Sequence, residues 1–275
     1  MVFDESTIRE SVYRCGEYLD GDIYPVFRTP GKRRKRFKPT RQTQERLNLR
    51  NSRRRLLRLL RTNFHENELH LTITYENNEL PETPQAAERL ICNYLQRLRR
   101  LFKKSSIPLK YVRITERGKN GRYHHHIVLS GGIDRDRLER LWRHGRANCD
   151  RLQFDDDGLA GLAKYLTKER VCFRRWSGSI NLVRPEPEQH DGRISFADAE
   201  EAAECIEAGN AYSYFKNLYP GYELTSCSAE RNEINRGIYI RFEMRRIRKN
   251  KNGKYTASRP IRENFPWGTS SPLRL

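Results

Sequence analysis

The amino-acid sequence predicts an α+β fold in which helices cover one face of an antiparallel β-sheet. Residues 69–75 alternate between apolar and polar side chains, which is typical of a strand with one buried face. Residues 84–104 carry apolar side chains at helical spacing. Strands at residues 111–115 and 123–129 are joined by a segment rich in Gly and Asn, which is typical of a hairpin. Hairpin-connected strands next to a long amphipathic helix favour this fold class.

The rest of the chain divides into further parts. Residues 1–39 contain few periodic apolar positions and a run of five Lys and Arg, so we expect a basic, flexible arm. Residues 40–63 predict an arginine-rich helix, and residues 64–184 hold the sheet with its helices. Residues 185–247 predict a helix and a strand pair that extend this domain, either by enlarging the same sheet or as a small subdomain. Residues 248–275 predict a flexible basic tail.

The elements that follow the hairpin are predicted in the order helix, short strand, helix. The helices are expected at residues 134–143 and at about residues 156–168, with the strand near residues 152–154. With all helices on one side of the sheet, the other face would be free for a functional site.

The charge of the chain indicates a nucleic-acid partner. Fifty-four Lys and Arg against 35 Asp and Glu give a formal net charge of +19. Such an excess is the electrostatic footprint of a polyanion partner. A membrane fits worse, because no apolar run approaches the roughly 18 residues that span a bilayer and the first 30 residues lack the pattern of a signal peptide. The six cysteines form no C-x-x-C pair, so a reducing cytoplasm fits best.

Three consecutive histidines, His124 to His126, lie on a predicted strand. Because side chains alternate along a strand, His124 and His126 share one face and His125 lies on the other. Two imidazoles on one face, about 7 Å apart by strand rise, can chelate one divalent metal ion. The alternative is that the histidines are core residues satisfied by hydrogen bonds.

A second group of functional residues lies on the helix predicted at residues 156–168. At about 100° per residue, Tyr165 lies at the edge of the buried stripe, with Gly161 and Lys168 on the same face. Lys168 would place a positive charge within reach of the phenol, and a nearby cation favours the nucleophilic phenolate. An ordinary packed tyrosine is the alternative. Together with a metal ion that polarises a phosphate, this arrangement indicates phosphodiester transesterification.

A His-x-His strand followed about 40 residues later by Tyr-x-x-Lys resembles the HUH endonucleases, and specifically the single-tyrosine rolling-circle replication initiators of bacterial plasmids and phages. Leu71-Thr72-Ile73-Thr74-Tyr75 is similar to the first strand motif of that family. Ala163-Lys164-Tyr165-Leu166-Thr167-Lys168 is similar to its tyrosine motif. The resemblance covers about residues 40–250 and depends on three motifs in the same order.

The resemblance implies a central five-stranded antiparallel sheet of the ferredoxin- or RRM-like type. It also implies Mg²⁺ or Mn²⁺ at His124 and His126, and nicking of a single-stranded or cruciform replication origin. Tyr165 would be the nucleophile and form a 5′-phosphotyrosine intermediate, with Lys168 positioning or activating it. Glu116 stands near the place where related proteins supply a carboxylate ligand.

Three features of the site need structural evidence. Glu116 has the strand parity of Val112 and Ile114, so it is expected to reach the histidine face only if the strand bulges. The central position of the histidine motif is normally apolar, so a register in which His125 is a ligand stays open. No second tyrosine lies one turn from Tyr165, which argues against a two-tyrosine mechanism.

Basic and aromatic residues near the motifs extend the DNA-binding expectation, since arginines bind phosphates and an indole stacks on a base of single-stranded DNA. The residues are Arg122, Lys164, Arg170, Arg174, Arg175 and Trp176. A buried tryptophan with solvated arginines is the alternative. The sequence contains no G-x-x-x-x-G-K-[ST] motif, so a host helicase and polymerase are expected as partners in a bacterial cytoplasm. A transposase or relaxase of similar chemistry and a non-catalytic nucleic-acid-binding module stay open as other functions.

Overall fold

The computed structural model describes six stretches of the chain: residues 6–27, 41–118, 120–154, 158–167, 176–232 and 235–247. The chain forms two compact units. One comprises residues 37–184, and the other combines residues 1–36 with residues 185–275. Among the described residues, no helix combines the length and apolar character needed to cross a membrane.

The unit of residues 37–184 contains a five-stranded antiparallel sheet with the strand order β6-β3-β5-β4-β7. Its strands are β3 (Leu69–Ile73), β4 (Tyr111–Arg117), β5 (Tyr123–Leu129), β6 (Ala147–Arg151) and β7 (Ser177–Gly178). The predicted α+β class with an antiparallel sheet is therefore confirmed. The histidine strand β5 is the central strand, so its side chains are held by hydrogen-bonded neighbours on both sides.

Four helices accompany this sheet: α1 (Arg41–Asn63), α2 (Pro84–Lys104), α3 (Arg135–Arg140) and α4 (Ala160–Leu166). The α2 helix begins after Thr83, whose side chain accepts a hydrogen bond from the Ala86 backbone N–H at 3.1 Å. Its apolar stripe packs on the sheet face that carries Tyr123, Ile127 and Leu129. This is the face that sequence periodicity assigns to the helices.

The opposite sheet face is also partly covered, by α1 and α4. Leu56 and Leu60 of α1, together with Leu166 of α4, pack into one core with Val112 and Val128 of the sheet. Burial of these valines requires apolar partners on this side, so helices lie on both faces. The histidine face is thus a second core at one end and polar at the end that holds His124.

The local boundaries differ from the predicted ones after the hairpin. The third helix is shorter than expected at residues 135–140, and the strand that pairs with β3 is residues 147–151 and not residues 152–154. The α4 helix spans only Ala160–Leu166, and residues 155–157 and 168–170 lie outside the described part of the chain.

The second unit has its own five-stranded antiparallel sheet, with the order β8-β1-β2-β10-β9. Its elements are β1 (Ser6–Cys15), β2 (Tyr18–Phe27), β8 (Pro187–Asp191), α5 (Phe196–Glu207), α6 (Ala211–Leu218), β9 (Tyr222–Arg231) and β10 (Ile238–Arg246). The strand pair β9–β10 joins β2 and therefore does not enlarge the histidine sheet.

The expectation of a flexible arm over residues 1–39 is wrong for residues 6–27. These residues form a hairpin whose two-residue turn contains Gly16 in the left-handed region, with a φ of 61°. Ile8 and Ile23 are buried in a core with Phe215 and Phe242, which explains why the hairpin is stable in spite of its charged sequence. Residues 28–39 and 248–275 lie outside the described part of the chain.

Candidate active site

His125 lies on the face of β5 that α2 covers, as the strand alternation predicts. Its side chain is fully buried. Nε2 is 2.6 Å from the Tyr75 hydroxyl oxygen and Nδ1 is 2.9 Å from Thr115 Oγ1. Burial, assisted by the positive charge of Arg113, lowers the pKa of His125 to about 3, so the ring is neutral at physiological pH. Both ring nitrogens are thus engaged in the core, away from the face of the other two histidines.

His126 and Tyr165 meet on the opposite face. Their ring centroids are 5.3 Å apart and their planes are nearly perpendicular, at 82°. His126 is buried, whereas 52% of the surface of Tyr165 is exposed. The structure therefore brings together two residues that sequence analysis selected 39 positions apart, and it presents the phenol to solvent.

The α4 helix places Tyr165 because its other faces are anchored. Ala163 and Leu166 are buried in the core below the helix. At the helix end, the Arg53 Nε–H of α1 donates to Thr167 Oγ1 at 2.9 Å, and the same hydroxyl donates to the Ala163 carbonyl at 2.8 Å. These contacts fix both sides of a helix that is only seven residues long.

Glu116 reaches the histidine face without a bulge. The register of β4 and β5 pairs it directly opposite His124, and Glu116 Oε2 lies 3.7 Å from His126 Nε2. The expectation that a bulge is needed was wrong because it assumed that Val112 and Ile114 face away from the histidines. They share that face, where the core under α1 and α4 buries them.

His126 is held in its neutral form by its surroundings. Burial lowers its pKa to about 4, and the neighbouring His70 and His124 act in the same direction. Thr72 Oγ1 lies 3.4 Å from Nδ1, which leaves Nε2 directed towards Glu116. A neutral imidazole is the form that binds metal ions.

His70 is a residue of this site that sequence analysis missed. Its ring stacks on that of His126, with centroids 5.4 Å apart and an interplanar angle of 20°. Its Nε2 is buried and has no hydrogen-bond partner among the described residues. Burial lowers its pKa. The signal was present in the sequence, because His70 and Thr72 are the polar members of the alternating strand β3, on one face of the sheet.

The site fits a divalent cation in the chemistry of its donors. His124, His126 and Glu116 supply imidazole and carboxylate groups on one face, and such ligands suit Mn²⁺ and Mg²⁺ sites. The pair His126–Glu116 is held at 3.7 Å. Within the described part of the chain, no three or more His, Cys, Asp or Glu side chains are gathered closely enough to form a complete cluster.

The predicted DNA-binding residues have different surroundings. Trp176 is partly buried against the core under α1, and its indole N–H donates to Ser52 Oγ at 3.2 Å. Lys164 is exposed on α4, and Arg122 lies in the turn before β5, where its Nη2 donates to Asn77 Oδ1 at 2.7 Å. Three predicted DNA contacts and the predicted catalytic lysine lie outside the described residues: Arg170, Arg174, Arg175 and Lys168.

One known protein family matches the part of the chain that holds this site. Residues 68–170 match the family model of the replication-associated proteins of the ORF2 type. Comparison with curated proteins and with solved structures gave no significant match. The matched stretch runs from the start of β3 past the end of α4 and contains His124, His126 and Tyr165. The candidate site therefore lies within a segment similar to this family of replication-associated proteins, which is consistent with a rolling-circle replication initiator.

Proposed function

We propose that the protein is a replication initiator that nicks one DNA strand at a single-stranded or cruciform origin and later rejoins it. The observation that carries this proposal is the contact between the exposed Tyr165 and the buried His126, within the segment similar to replication-associated proteins. A nucleophile that attacks a polymer must be open to solvent, whereas the groups that orient the phosphate must be rigid. The two residues meet these requirements in this order.

In the proposed reaction, the phenol oxygen of Tyr165 attacks the scissile phosphorus in line. The new bond joins Tyr165 to the 5′-phosphate of one DNA end, and the bond between phosphorus and the 3′ oxygen breaks. The phenol loses its proton, and the leaving 3′ oxygen gains one to become a free 3′-OH primer. Because no bond energy is lost to hydrolysis, attack by a 3′-OH on the phosphotyrosine reverses the step and rejoins the strand.

His124, His126 and Glu116 would hold Mg²⁺ or Mn²⁺ beside the scissile phosphate. When bound, such an ion polarises the phosphate and stabilises the charge that develops on it. The protein fixes the position of His126 by its stack on His70 and by the contact with Thr72. Lys168 is proposed to favour the phenolate, from its place one turn beyond Tyr165 in the sequence.

Replication from the free 3′-OH would need strand separation and synthesis by other proteins. The sequence has no phosphate-binding loop of the helicase type, so we propose that a helicase and a polymerase of a bacterial host act with this protein in the cytoplasm. The positive charge of the chain, +19, supports binding to the DNA strand through its phosphates.

The proposal is tested by incubating the full chain with Mn²⁺ and single-stranded fragments that tile the DNA element encoding it. A covalent complex should survive denaturing electrophoresis, and mass spectrometry should place a 5′-linked nucleotide on the peptide that contains Tyr165. Tyr165→Phe removes only the attacking oxygen, so this variant should bind DNA and form no adduct. Tyr212→Phe changes another partly exposed tyrosine and is the matched control, which should react like the wild type.

Nicking that survives Tyr165→Phe, or an adduct on a different tyrosine, would contradict the assignment of the nucleophile. DNA binding without an adduct on any fragment, with either metal, would favour the non-catalytic nucleic-acid-binding module. A transposase or relaxase has the same chemistry and would be recognised by cleavage at element ends or transfer origins instead of a replication origin.

A further inference from the structure

A polar cavity of about 430 Å³ adjoins the candidate active site. Its walls come from the segment after β3 and from the turn between β4 and β5, and they include Glu76, Asn77, Asn120, Arg122, His124 and Arg146. His124 belongs both to this cavity and to the proposed metal site. The volume falls in the range of small-ligand sites, which is about 300–1,000 Å³.

The cavity wall is held by hydrogen bonds between its two loops. The Arg122 guanidinium donates to Asn77 Oδ1 at 2.7 Å, and the Arg122 backbone N–H donates to Asn120 Oδ1 at 3.2 Å. Gly118 packs so closely that an added Cβ would lie 3.1 Å from His124 Nε2. The polar groups are therefore positioned before any ligand binds, which lowers the ordering cost of binding.

The charges of the lining indicate the class of ligand. Arg122 and Arg146 offer guanidinium donors, and Asn77 and Asn120 carry side-chain amides, as suits a nucleotide phosphate or the acceptor atoms of a base. Glu76 is exposed and has no side-chain partner among the described residues. Its carboxylate would repel a bare phosphate and would accept a hydrogen bond from the exocyclic amine of a base. Donors beside one acceptor fit a nucleobase that has both an amine and acceptor atoms.

We propose that this cavity binds one nucleotide of the substrate strand next to the scissile phosphate and selects a base with an exocyclic amine over thymine. The inference rests on the proposed function, because it places the substrate strand across His124. It goes further by assigning Glu76 and Arg122 as residues that determine which origin sequence is cut. Cytosine is the sharpest test, since it differs from thymine at the position where an amine replaces a carbonyl oxygen.

The experiment compares the affinity of the full chain for oligodeoxycytidylate and oligodeoxythymidylate of about 12 nucleotides, a length within the site sizes of single-strand binders. Fluorescence anisotropy in EDTA measures binding without cleavage. The wild type should bind the cytidylate about tenfold more tightly, as expected for one discriminating contact. Glu76→Gln should reduce this ratio to within about twofold, and Arg122→Ala should weaken the cytidylate more than the thymidylate.

Two controls separate base selection from charge. Glu82→Gln removes a nearby exposed carboxylate that does not line the cavity, and it should leave the ratio at the wild-type value. Arg100→Ala removes an exposed cation on α2 and should change both affinities equally. Circular dichroism checks that each variant is folded.

A wild-type ratio near one, or a ratio that Glu76→Gln leaves unchanged, would overturn the inference. If the Tyr165 adduct still forms in that case, the proposed function stands and only the base-selecting cavity is refuted. If the protein binds neither oligonucleotide and forms no adduct, both proposals fall together.

Discussion

Replacement of His125 by Ala distinguishes a core histidine from a metal ligand. His125 is fully buried, contacts the Tyr75 hydroxyl and Thr115 Oγ1, and lies with its ring centroid 6.3 Å from that of Trp142. The structure therefore predicts that His125→Ala destabilises the fold, while the metal-binding face keeps its donors. A ligand role predicts the reverse, with little effect on stability and loss of metal affinity.

The expected loss of stability follows from two effects. Truncation of a large buried side chain leaves a cavity, which costs about 2–5 kcal/mol. The Tyr75 hydroxyl, buried in the same cluster, would also lose its partner, at a cost of about 1–3 kcal/mol. Allowing for partial collapse of the site, we expect a loss of about 4 kcal/mol. This is a large share of the roughly 5–15 kcal/mol that stabilises a typical domain.

Urea denaturation followed by tryptophan fluorescence measures this loss in the unit of residues 37–184, which contains Trp142 and Trp176. At a typical dependence of about 2 kcal/mol per molar urea, the midpoint should fall by roughly 2 M. Tyr75→Phe in the His125→Ala background should recover about 1 kcal/mol, because it removes the orphaned hydroxyl. An unchanged midpoint together with lost Mn²⁺ affinity would refute the reasoning and make His125 a ligand.

Two further substitutions test the opposite face of the strand. His124→Ala and His126→Ala each remove a proposed ligand, so nicking should be abolished while anisotropy shows single-stranded DNA affinity within about threefold of wild type, because phosphate contacts by Lys and Arg dominate binding; nicking that persists in both would contradict the metal site. His70→Ala should weaken Mn²⁺ binding, measured by electron paramagnetic resonance, by about tenfold, as for other residues that orient metal ligands, whereas His70→Phe should keep the ring stack and most of the affinity. Equal effects of the two His70 variants would show that the stack has no role.

Local patterns predicted the parts of the site that depend on a single element. The alternation of strand β5 correctly separates His125 from His124 and His126, because side-chain direction in a strand follows from backbone geometry alone. The helical period places Tyr165 at the edge of an apolar stripe, and the helix α4 presents it in this way. These properties need no knowledge of distant residues.

The parts that sequence reasoning missed depend on contacts between distant segments. Whether Glu116 reaches the histidines depends on which face of β4 is buried, and here both faces are buried, by different helices. The hairpin of residues 6–27 is stable because its strands pair with residues 187–191 and 240–245, more than 170 positions away in the chain. No local period records such a pairing, and the charged residues on the hairpin hide its apolar alternation.

The distribution of burial within the site explains how one fold can combine precision with access to DNA. His126 is fixed by a ring stack, a hydroxyl contact and the central strand, and its low pKa keeps it ready to bind a cation at any physiological pH. Tyr165 is attached to the same sheet through a short helix that only buried aliphatic residues and the Arg53–Thr167 hydrogen bond hold in place. A phenol that must swing between attack on a strand and release of a rejoined product needs such a weaker attachment. The rigid half of the site therefore lies on strands and the reacting half on a short helix, because the chemistry requires a fixed phosphate and a nucleophile that DNA can reach.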